Sequence, residues 1–235
     1  FDECQAECII GASFLVGQEI YPPRYFPSLE SNDRPFAGWL YAGLQSTAAS
    51  DHDLASLSVK LGVTGPPSLA QQLQVSFHQL VPTYVIPPGW NDQLKFEPGV
   101  IVTAAKKYFL ERHAGPTSIG VITSGSVSLG NILSDLEGGL TLRAGVNSHP
   151  WNFERSRRFG AYASFGVRED AVLHNLFLDG NTFRNGPRVK RIPFVWQEEL
   201  AGGISLGSIS LAYQRIVRSQ EFTNGRRYHP YGTLS

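Results

Sequence analysis

Long segments in which apolar and polar residues alternate recur along the chain, and this period of two constrains the fold more than any other feature. One example is the segment from Asp53 to Gly65, where one side carries Ala55, Leu57, Val59, Leu61 and Val63. The pattern returns at 118–130, 137–145, 158–170 and 204–215, and the last segment changes phase across Leu206–Gly207–Ser208, as in a hairpin. About ten such segments predict an all-β, antiparallel chain.

Two architectures fit the alternation, a soluble β-sandwich and a transmembrane β-barrel, and periodicity alone does not separate them. Segment length favours the barrel, because runs of about ten residues approach what a tilted strand needs to cross a bilayer. The polar side is mostly Ser, Thr and Gly, which suits a lumen. Aromatic residues at segment ends are expected to form interfacial girdles: Trp39, Tyr41, Tyr108, Phe109, Phe159 and Tyr213.

Composition narrows the function classes. The formal net charge of the 235 residues is zero and charged residues make up 17%, which argues against a nucleic-acid partner. The longest uncharged run, His113 to Ser134, is rich in Gly, Ser and Thr and does not resemble a membrane-spanning helix. Cys4 and Cys8 are too few for a disulfide scaffold, and we interpret them as incidental or locally bridged. No domain break is evident, so 1–235 is predicted to be a single barrel domain.

One stretch, Gly65 to Leu80, breaks the alternation and predicts a short helix at about 68–80. Ser68 after two prolines is a candidate N-cap, and Gln71 three residues later would complete a capping box. Gln74 and His78 lie one turn apart on one face. The other face is apolar and consists of Leu69, Leu73, Phe77 and Leu80. Such a helix is expected to lie on an apolar surface and to present an imidazole and an amide beside it.

Several motifs occur here in one order: "NDRPFAGWLYAGL" (32–44), "LGVTGPPSLAQQLQVSFHQL" (61–80), "GWNDQLKFEPG" (89–99), "LFLDGNTFRN" (176–185) and "SQEF" (219–222). Together they resemble the outer-membrane lipid A 3'-O-deacylase (LpxR-type) family, from about Gly11 to the C-terminus. The resemblance implies a twelve-stranded outer-membrane barrel in the bacterial outer membrane, with its active site on the outer wall near the extracellular rim. It further implies hydrolysis of the ester that links the 3'-acyloxyacyl chain of lipid A, with calcium as cofactor.

By position, His78 matches the family's catalytic histidine and Gln74 matches the glutamine one turn before it. An imidazole is a suitable base for ester hydrolysis near neutral pH. Trp90 and Gln93 are candidate substrate-binding residues that anchor their loop at the interface. Arg34 is a further candidate for substrate binding, although Asp33 and Arg34 are more typical of a structural turn pair. Asp179–Gly180–Asn181 indicates a loop turn.

The chain departs from the family pattern in two places. The family's opening strand, with its Asn-Asp pair, has no counterpart here, and the last segment stops soon after a strand begins. We therefore expect a fragment of a longer chain, since an unclosed barrel would leave unpaired backbone groups in lipid. The second departure is that no carboxylate stands between His78 and Asp92, and calcium prefers several oxygen ligands, usually including carboxylates.

Three functions are compatible with the sequence. The preferred one is a lipid A 3'-O-deacylase that acts on lipopolysaccharide of the outer leaflet, with no obligate protein partner. The second is a catalytically inactive barrel of the same fold that serves as a pore or structural protein. The third is a soluble β-sandwich binding module.

Overall fold

A computed structural model describes residues 9–23, 33–81, 88–150, 159–207 and 209–234. Cys4 and Cys8 lie outside these residues. The strands are β1 (Ile9–Tyr21), β2 (Ala37–Ala49), β3 (Asp53–Thr64), β4 (Pro98–Ala114), β5 (Thr117–Gly130), β6 (Leu133–Val146), β7 (Phe159–Asn175), β8 (Phe194–Leu206), β9 (Ile209–Ser219) and β10 (Tyr228–Leu234). The helices are α1 (Ala70–Leu80) and α2 (Leu176–Asp179), with short 3₁₀ helices at Pro66–Ser68 and Trp90–Asp92.

The ten strands form one antiparallel sheet in which each strand pairs with its neighbours in sequence, from β1 at one edge to β10 at the other. The register is regular except for a shift between Ser134 and Asp135 on β6. The predicted hairpin at 206–208 is confirmed: Leu206 pairs with Ile209, and Gly207 has the positive φ (61°) that such a tight turn favours. An up-and-down meander of this kind is the topology of an outer-membrane barrel.

The apolar side of each strand faces outward, away from the concave side of the sheet. On β3, Leu57 and Leu61 are 50% and 60% exposed, whereas Lys60 between them is half-buried and lies over the ring of Tyr41. A soluble sandwich would bury this apolar face against a second sheet. The all-β barrel prediction is therefore confirmed and the sandwich is wrong. Among the described residues, no helix is long and apolar enough to span a membrane.

The inner face carries a network of ion pairs on β6 to β9. Arg168 bonds Glu199 and lies 3.8 Å from Glu137. At the next inward-facing position of β7, two residues after Arg168, Asp170 accepts hydrogen bonds from Gln197 and Arg218, each at 2.9 Å. Opposite charges that face one another in this way offset the cost of holding them away from bulk water.

The connections differ strongly between the two ends of the barrel. At one end they comprise residues 22–36, 65–97, 131–132, 176–193 and 220–227, and at the other 50–52, 115–116, 147–158 and 207–208. We name these the long-loop end and the short-turn end. Outer-membrane barrels place their longer loops outside the cell and their short turns in the periplasm. The long-loop end, which carries α1 and α2, is thus the extracellular end.

A buried apolar cluster closes the lumen at the long-loop end. Phe177 of α2 stacks on Tyr21, with ring centroids 4.2 Å apart. We name this cluster the inner plug, and its buried members are Ala37, Trp39, Leu94, Ile101, Ile132, Leu176 and Phe177. The strand residues among them point inward, so α2 and part of the 65–97 connection cover the mouth of the barrel.

The expected aromatic girdle is correct only in part. Tyr108, Phe159 and Tyr213 are exposed on the outer wall. Trp39 and Phe109, by contrast, are 1% and 0% exposed and point inward, and Tyr41 packs beside Trp39 with ring centroids 4.5 Å apart. The girdle prediction was wrong for these three residues. A position near a strand end does not determine which face a side chain occupies, because alternate residues along a strand point to opposite faces.

Candidate functional site

Helix α1 lies against the outer wall of the barrel, on β1 and β2. Gly38 faces outward between the inner-plug residues Ala37 and Trp39. A Cβ atom on Gly38 would lie 2.2 Å from Cβ of Ala70 and 2.4 Å from Oγ of Ser68. On β1, the side chain of Gln18 donates to the carbonyl of Ser68. The start of α1 is therefore in direct contact with the wall, and only glycine at position 38 leaves room for it.

Ser68 does not cap α1, and that prediction was wrong. Ser68 is the last residue of the preceding 3₁₀ helix, where its buried Oγ donates to the carbonyl of Gly65 at 2.6 Å. The N-cap position is taken by Leu69 in the left-handed region (φ 59°), with no side-chain capping bond. Docking of Ser68 and Ala70 against Gly38 determines where the helix begins, and this tertiary contact overrides the local capping signal.

The apolar flank of α1 is turned away from the barrel. Its residues Leu69, Leu73, Phe77 and Leu80 are all more than half exposed. Leu69 holds an uncommon backbone conformation for a leucine and still points outward. In the bilayer, this flank continues the lipid-facing apolar surface of the strands, so α1 lies at the hydrocarbon boundary.

The structure brings the side chains of Gln74 and Trp90 into contact. The indole Nε1 of Trp90 donates to Oε1 of Gln74 at 3.0 Å. Because indole is only a donor, this bond fixes which way the amide points: the oxygen faces Trp90 and the NH₂ group faces away. Trp90 is itself buried and packs on Phe36, with ring centroids 4.7 Å apart.

His78 lies one turn after Gln74 on the same side of α1 and is half-buried, with its ring 6.2 Å from that of Phe77. The Gln74–His78 side of the helix is thus the side nearer the protein, and the apolar flank lies beside it. An imidazole and an amide NH₂ that faces away from Trp90, at a lipid boundary, can together take up a proton and donate to an oxyanion.

The connection that carries the site crosses the rim of the barrel. Trp90 belongs to an outer cluster with Phe36 and Ala70, against which Ile20 packs. Four residues later, Leu94 belongs to the inner plug, and its N–H donates to the carbonyl of Phe36 at 2.9 Å. Gln93 lies between them, buried, and its Oε1 has no hydrogen-bond partner among the described residues. This segment is held on both sides of the wall.

Arg34 is engaged away from α1. Its guanidinium pairs with Glu221 at 2.9 Å and lies over the rings of Tyr21 and Phe222. Its backbone N–H donates to the carboxylate of Asp33 at 2.7 Å, the arrangement of a structural turn pair. The described contacts of Arg34 thus join the β1–β2 connection to the β9–β10 connection. Its role in substrate binding stays a prediction.

The Asp179–Gly180–Asn181 turn makes bonds to another loop that could not be predicted from its sequence. Asn181 makes paired bonds with the backbone of Lys95: it accepts from the N–H at 3.0 Å and donates to the carbonyl at 2.9 Å. Asp179 accepts from Arg191 at 3.0 Å and from the N–H of Asn175 at 2.9 Å. The turn therefore clamps the segment after Trp90 and Gln93 to the 176–193 connection. When an Asn bonds a residue of another loop, the sequence around the Asn does not identify that partner.

Glu97 is the centre of this clamp. It is 1% exposed and accepts from Asn131 at 3.0 Å, from Asn181 at 3.1 Å and from the N–H of Thr182 at 2.9 Å. Burial alone would raise the pKa of Glu97, but the bonds from Asn181, Asn131 and Thr182 outweigh it and hold the pKa below its usual value. The carboxylate is thus ionised, and three segments converge on it.

Calcium does not fit the part of the chain that the structure describes. No group of three or more His, Cys, Asp or Glu residues in those ranges could hold a metal ion. In the segment that follows Trp90, the carboxylate of Asp92 belongs to an exposed residue, and Gln93 adds a single buried amide oxygen. Calcium requires about six to eight oxygen ligands. The described residues do not supply such a set.

Taken together, an outward apolar face, a charged lumen and a helix docked on the outer wall define a β-barrel protein of the bacterial outer membrane. The sequence matches the family model described as "Outer membrane protein LpxR" over residues 5–235. The chain belongs to this family.

A solved structure, "LpxR from Salmonella typhimurium", superposes with a TM-score of 0.83 at 19% sequence identity. The superposition covers 96% of this chain and 82% of that one. At this identity the likeness concerns the fold. A comparison with curated protein sequences found no match.

The contact at Gly38 predicts the effect of a single methyl group. Gly38→Ala should lower the free energy of unfolding by about 1–3 kcal/mol, because the new Cβ overlaps Ala70 and Ser68. Urea unfolding in detergent micelles measures this, and proteolysis within the 65–97 connection should become faster. Gly138→Ala is the matched control, since a Cβ on this β6 glycine meets nothing within 4 Å. Equal stability of the two variants would disprove close docking of α1.

The clamp predicts a pH-dependent effect at Glu97. At neutral pH, Glu97→Gln should cost about 2 kcal/mol of stability, because an amide cannot accept from three donors as a carboxylate does. The lowered pKa means that the wild-type advantage is present above the ordinary value of 4.5 and disappears as the pH falls through the folded-state pKa. Unfolding free energies of both proteins across this range test it. A difference that does not change with pH would contradict the assignment.

Proposed function

We propose that this protein is a lipid A deacylase that hydrolyses the ester of the 3'-linked acyloxyacyl chain, with His78 as general base. The observation that carries the proposal is the docking of α1 on the outer wall, with an imidazole beside an exposed apolar flank. Membership of the LpxR family supports lipid A as the substrate. A base in this position would meet an ester at the boundary between sugar and acyl chain.

In the proposed reaction, water attacks the ester carbonyl carbon while His78 takes one of its protons. The tetrahedral intermediate collapses as the bond from this carbon to the 3'-oxygen of the sugar breaks, and protonated His78 returns the proton to that oxygen. The products are a 3'-hydroxyl on lipid A and the free acyloxyacyl fatty acid. Imidazole suits both steps because its ordinary pKa lies near neutral pH.

Gln74 is proposed to stabilise the oxyanion. Trp90 occupies its amide oxygen, so the NH₂ group is the part that remains to donate to a substrate oxygen. Trp90 acts through Gln74 and is a positioning residue. Gln93, whose buried Oε1 lacks a described partner, is proposed to accept from a substrate hydroxyl or a bound water. Calcium remains a cofactor proposed from the family resemblance alone, and no step here depends on it.

The alternative, an inactive barrel that acts as a pore, is less well supported. A pore needs an open lumen, and here the inner plug fills the extracellular mouth with buried apolar side chains, among them Trp39, Ile132 and Phe177. The cavity beside the plug, lined by Glu19, Tyr21 and Arg34, has a volume of about 150 Å³, and a cavity further down the lumen, lined by Lys107, Arg143 and Glu199, has a volume of about 240 Å³. Neither space is large enough to form a continuous channel through the barrel.

The direct test is His78→Ala in the full-length protein, expressed in a Gram-negative host. Wild type should remove the 3'-linked acyl pair from lipid A, and the variant should not, although its barrel still assembles. Mass spectrometry of extracted lipid A and heat-modifiable gel migration measure the two properties. His113→Ala is the control, because this exposed histidine lies at the short-turn end. Identical lipid A from wild type and empty vector would overturn the proposal in favour of an inactive barrel.

Trp90→Phe tests the role of Gln74. The variant keeps an aromatic ring against Phe36 but loses the bond that orients the amide. We expect kcat to fall about tenfold with little change in KM, as for an interaction that matters in the transition state. Trp196→Phe, on the exposed outer wall, should behave as wild type. A raised KM with unchanged kcat would show that Gln74 contributes to substrate binding instead.

A further inference from the structure

Two of the long loops are joined by backbone bonds at the extracellular end. The carbonyl of Lys190 accepts from the N–H of Thr223 at 3.0 Å, and the N–H of Ile192 donates to the carbonyl of Glu221 at 2.8 Å. Between them, Arg191 and Phe222 form an isolated antiparallel bridge. The β7–β8 and β9–β10 connections thus share a small piece of sheet and form one surface.

The β7–β8 loop is also held internally. The N–H of Val189 donates to the carbonyl of Leu178 at 2.8 Å, and Arg191 bonds Asp179 at 3.0 Å. Gly180 adopts φ +88°, and a Cβ there would lie 3.1 Å from the carbonyl oxygen of Pro187. Only glycine suits this close turn, which brings the 186–190 segment back over α2.

This surface carries an excess of positive charge. The exposed cations of the two loops are Arg184, Arg188, Lys190, Arg226 and Arg227, which we name the basic platform. Within the described part of the chain, the side chains of Arg184, Arg188 and Lys190 have no hydrogen bond or ion pair. The carboxylates of these loops are already engaged, Asp179 with Arg191 and Glu221 with Arg34 and Arg218. Among the described residues of these two loops, no carboxylate therefore pairs with Arg184, Arg188 or Lys190.

Aromatic residues fix the height of the basic platform in the membrane. Trp196 of β8 and Tyr228 of β10 contact each other on the outer wall, with ring centroids 5.9 Å apart. Phe194, two residues before Trp196, is 62% exposed. Aromatic side chains of this kind occupy the membrane–water interface. The guanidinium of Arg227 lies over the Tyr228 ring, so the platform begins directly above this girdle, at the level of lipid headgroups.

We propose that the basic platform is a binding site for the phosphate groups of lipopolysaccharide in the outer leaflet. The surface is formed by the β7–β8 and β9–β10 loops, whereas α1 lies on β1 and β2. The proposal requires the outer-membrane location but not the deacylase activity. Phosphates are the anions that an outer leaflet of lipopolysaccharide presents at headgroup level, and unpaired guanidinium and ammonium groups are suited to bind them.

The test uses fully deacylated lipopolysaccharide, which keeps the phosphates but has no acyl ester, and the detergent-solubilised full-length protein in calorimetric titration. Arg188→Gln/Lys190→Gln should bind about 25-fold more weakly than wild type, since each basic side chain near such a surface contributes about a factor of five. Lys106→Gln/Arg112→Gln is the matched control, with the same charges removed from exposed positions of β4, and should bind as wild type.

Three results would overturn the proposal. They are equal binding by the platform variant and wild type, equal binding of a dephosphorylated probe, and equal weakening in the control variant. Inorganic phosphate forms a separate arm: it should bind wild type far more weakly than the oligosaccharide does, and equally tight binding would indicate a site for free phosphate. Because the probe carries no ester, failure here would leave the proposed hydrolysis untouched, and failure of the His78 experiment would leave this site untouched.

Discussion

The hydrocarbon around the strands is the constraint on which the rest of the structure depends. Lipid cannot hydrogen-bond a peptide group, so each strand must pair with neighbours, and its outward side chains must be apolar. With a period of two, this leaves the alternate side chains to point inward. The inner face is therefore where Arg168, Asp170 and Arg218 can exist. There Arg168 pairs with Glu199 and Glu137, and Arg218 pairs with Asp170. The alternation in the sequence and the charged lumen have the same cause.

Because of the same constraint, a helix can dock on the outer wall only where the wall offers space and a polar group. A smooth apolar wall offers α1 no polar anchor, and here the contact is made at the extracellular edge, where Gly38 removes a side chain and Gln18 supplies a donor. The rest of the helix need not be covered by protein, because its apolar flank meets lipid. A half-buried imidazole beside an exposed Leu73 and Phe77 is understandable only at such a boundary.

Much of the fold could be predicted from the sequence, because the alternation of inward and outward residues along a strand is a local property. The exposed Leu57 and Leu61 and the hairpin at Gly207 follow from it directly. The face of Trp39 and the start of α1 were predicted wrongly, since an aromatic residue near a strand end and a serine after two prolines have good local explanations that tertiary contacts override. The Gln74–Trp90 bond and the bonds from Asn181 to Lys95 join residues far apart in sequence. Neither could be found from spacing alone.

The position of the site depends on a loop that is fixed on both sides of the barrel wall. Outside, Trp90 packs with Phe36 and Ala70; inside, Leu94 joins the plug, and Glu97 receives bonds from Asn131 and Asn181. A loop held on one side alone could tilt with the lipid. Held on both, it keeps Trp90, and through it the amide of Gln74, at a set height relative to the strands. The strands in turn are fixed in the bilayer by their apolar band. The buried polar clamp in the mouth of the barrel and the helix at the lipid boundary belong to the same 65–97 connection. Together they determine the height of Gln74 and His78 relative to the bilayer.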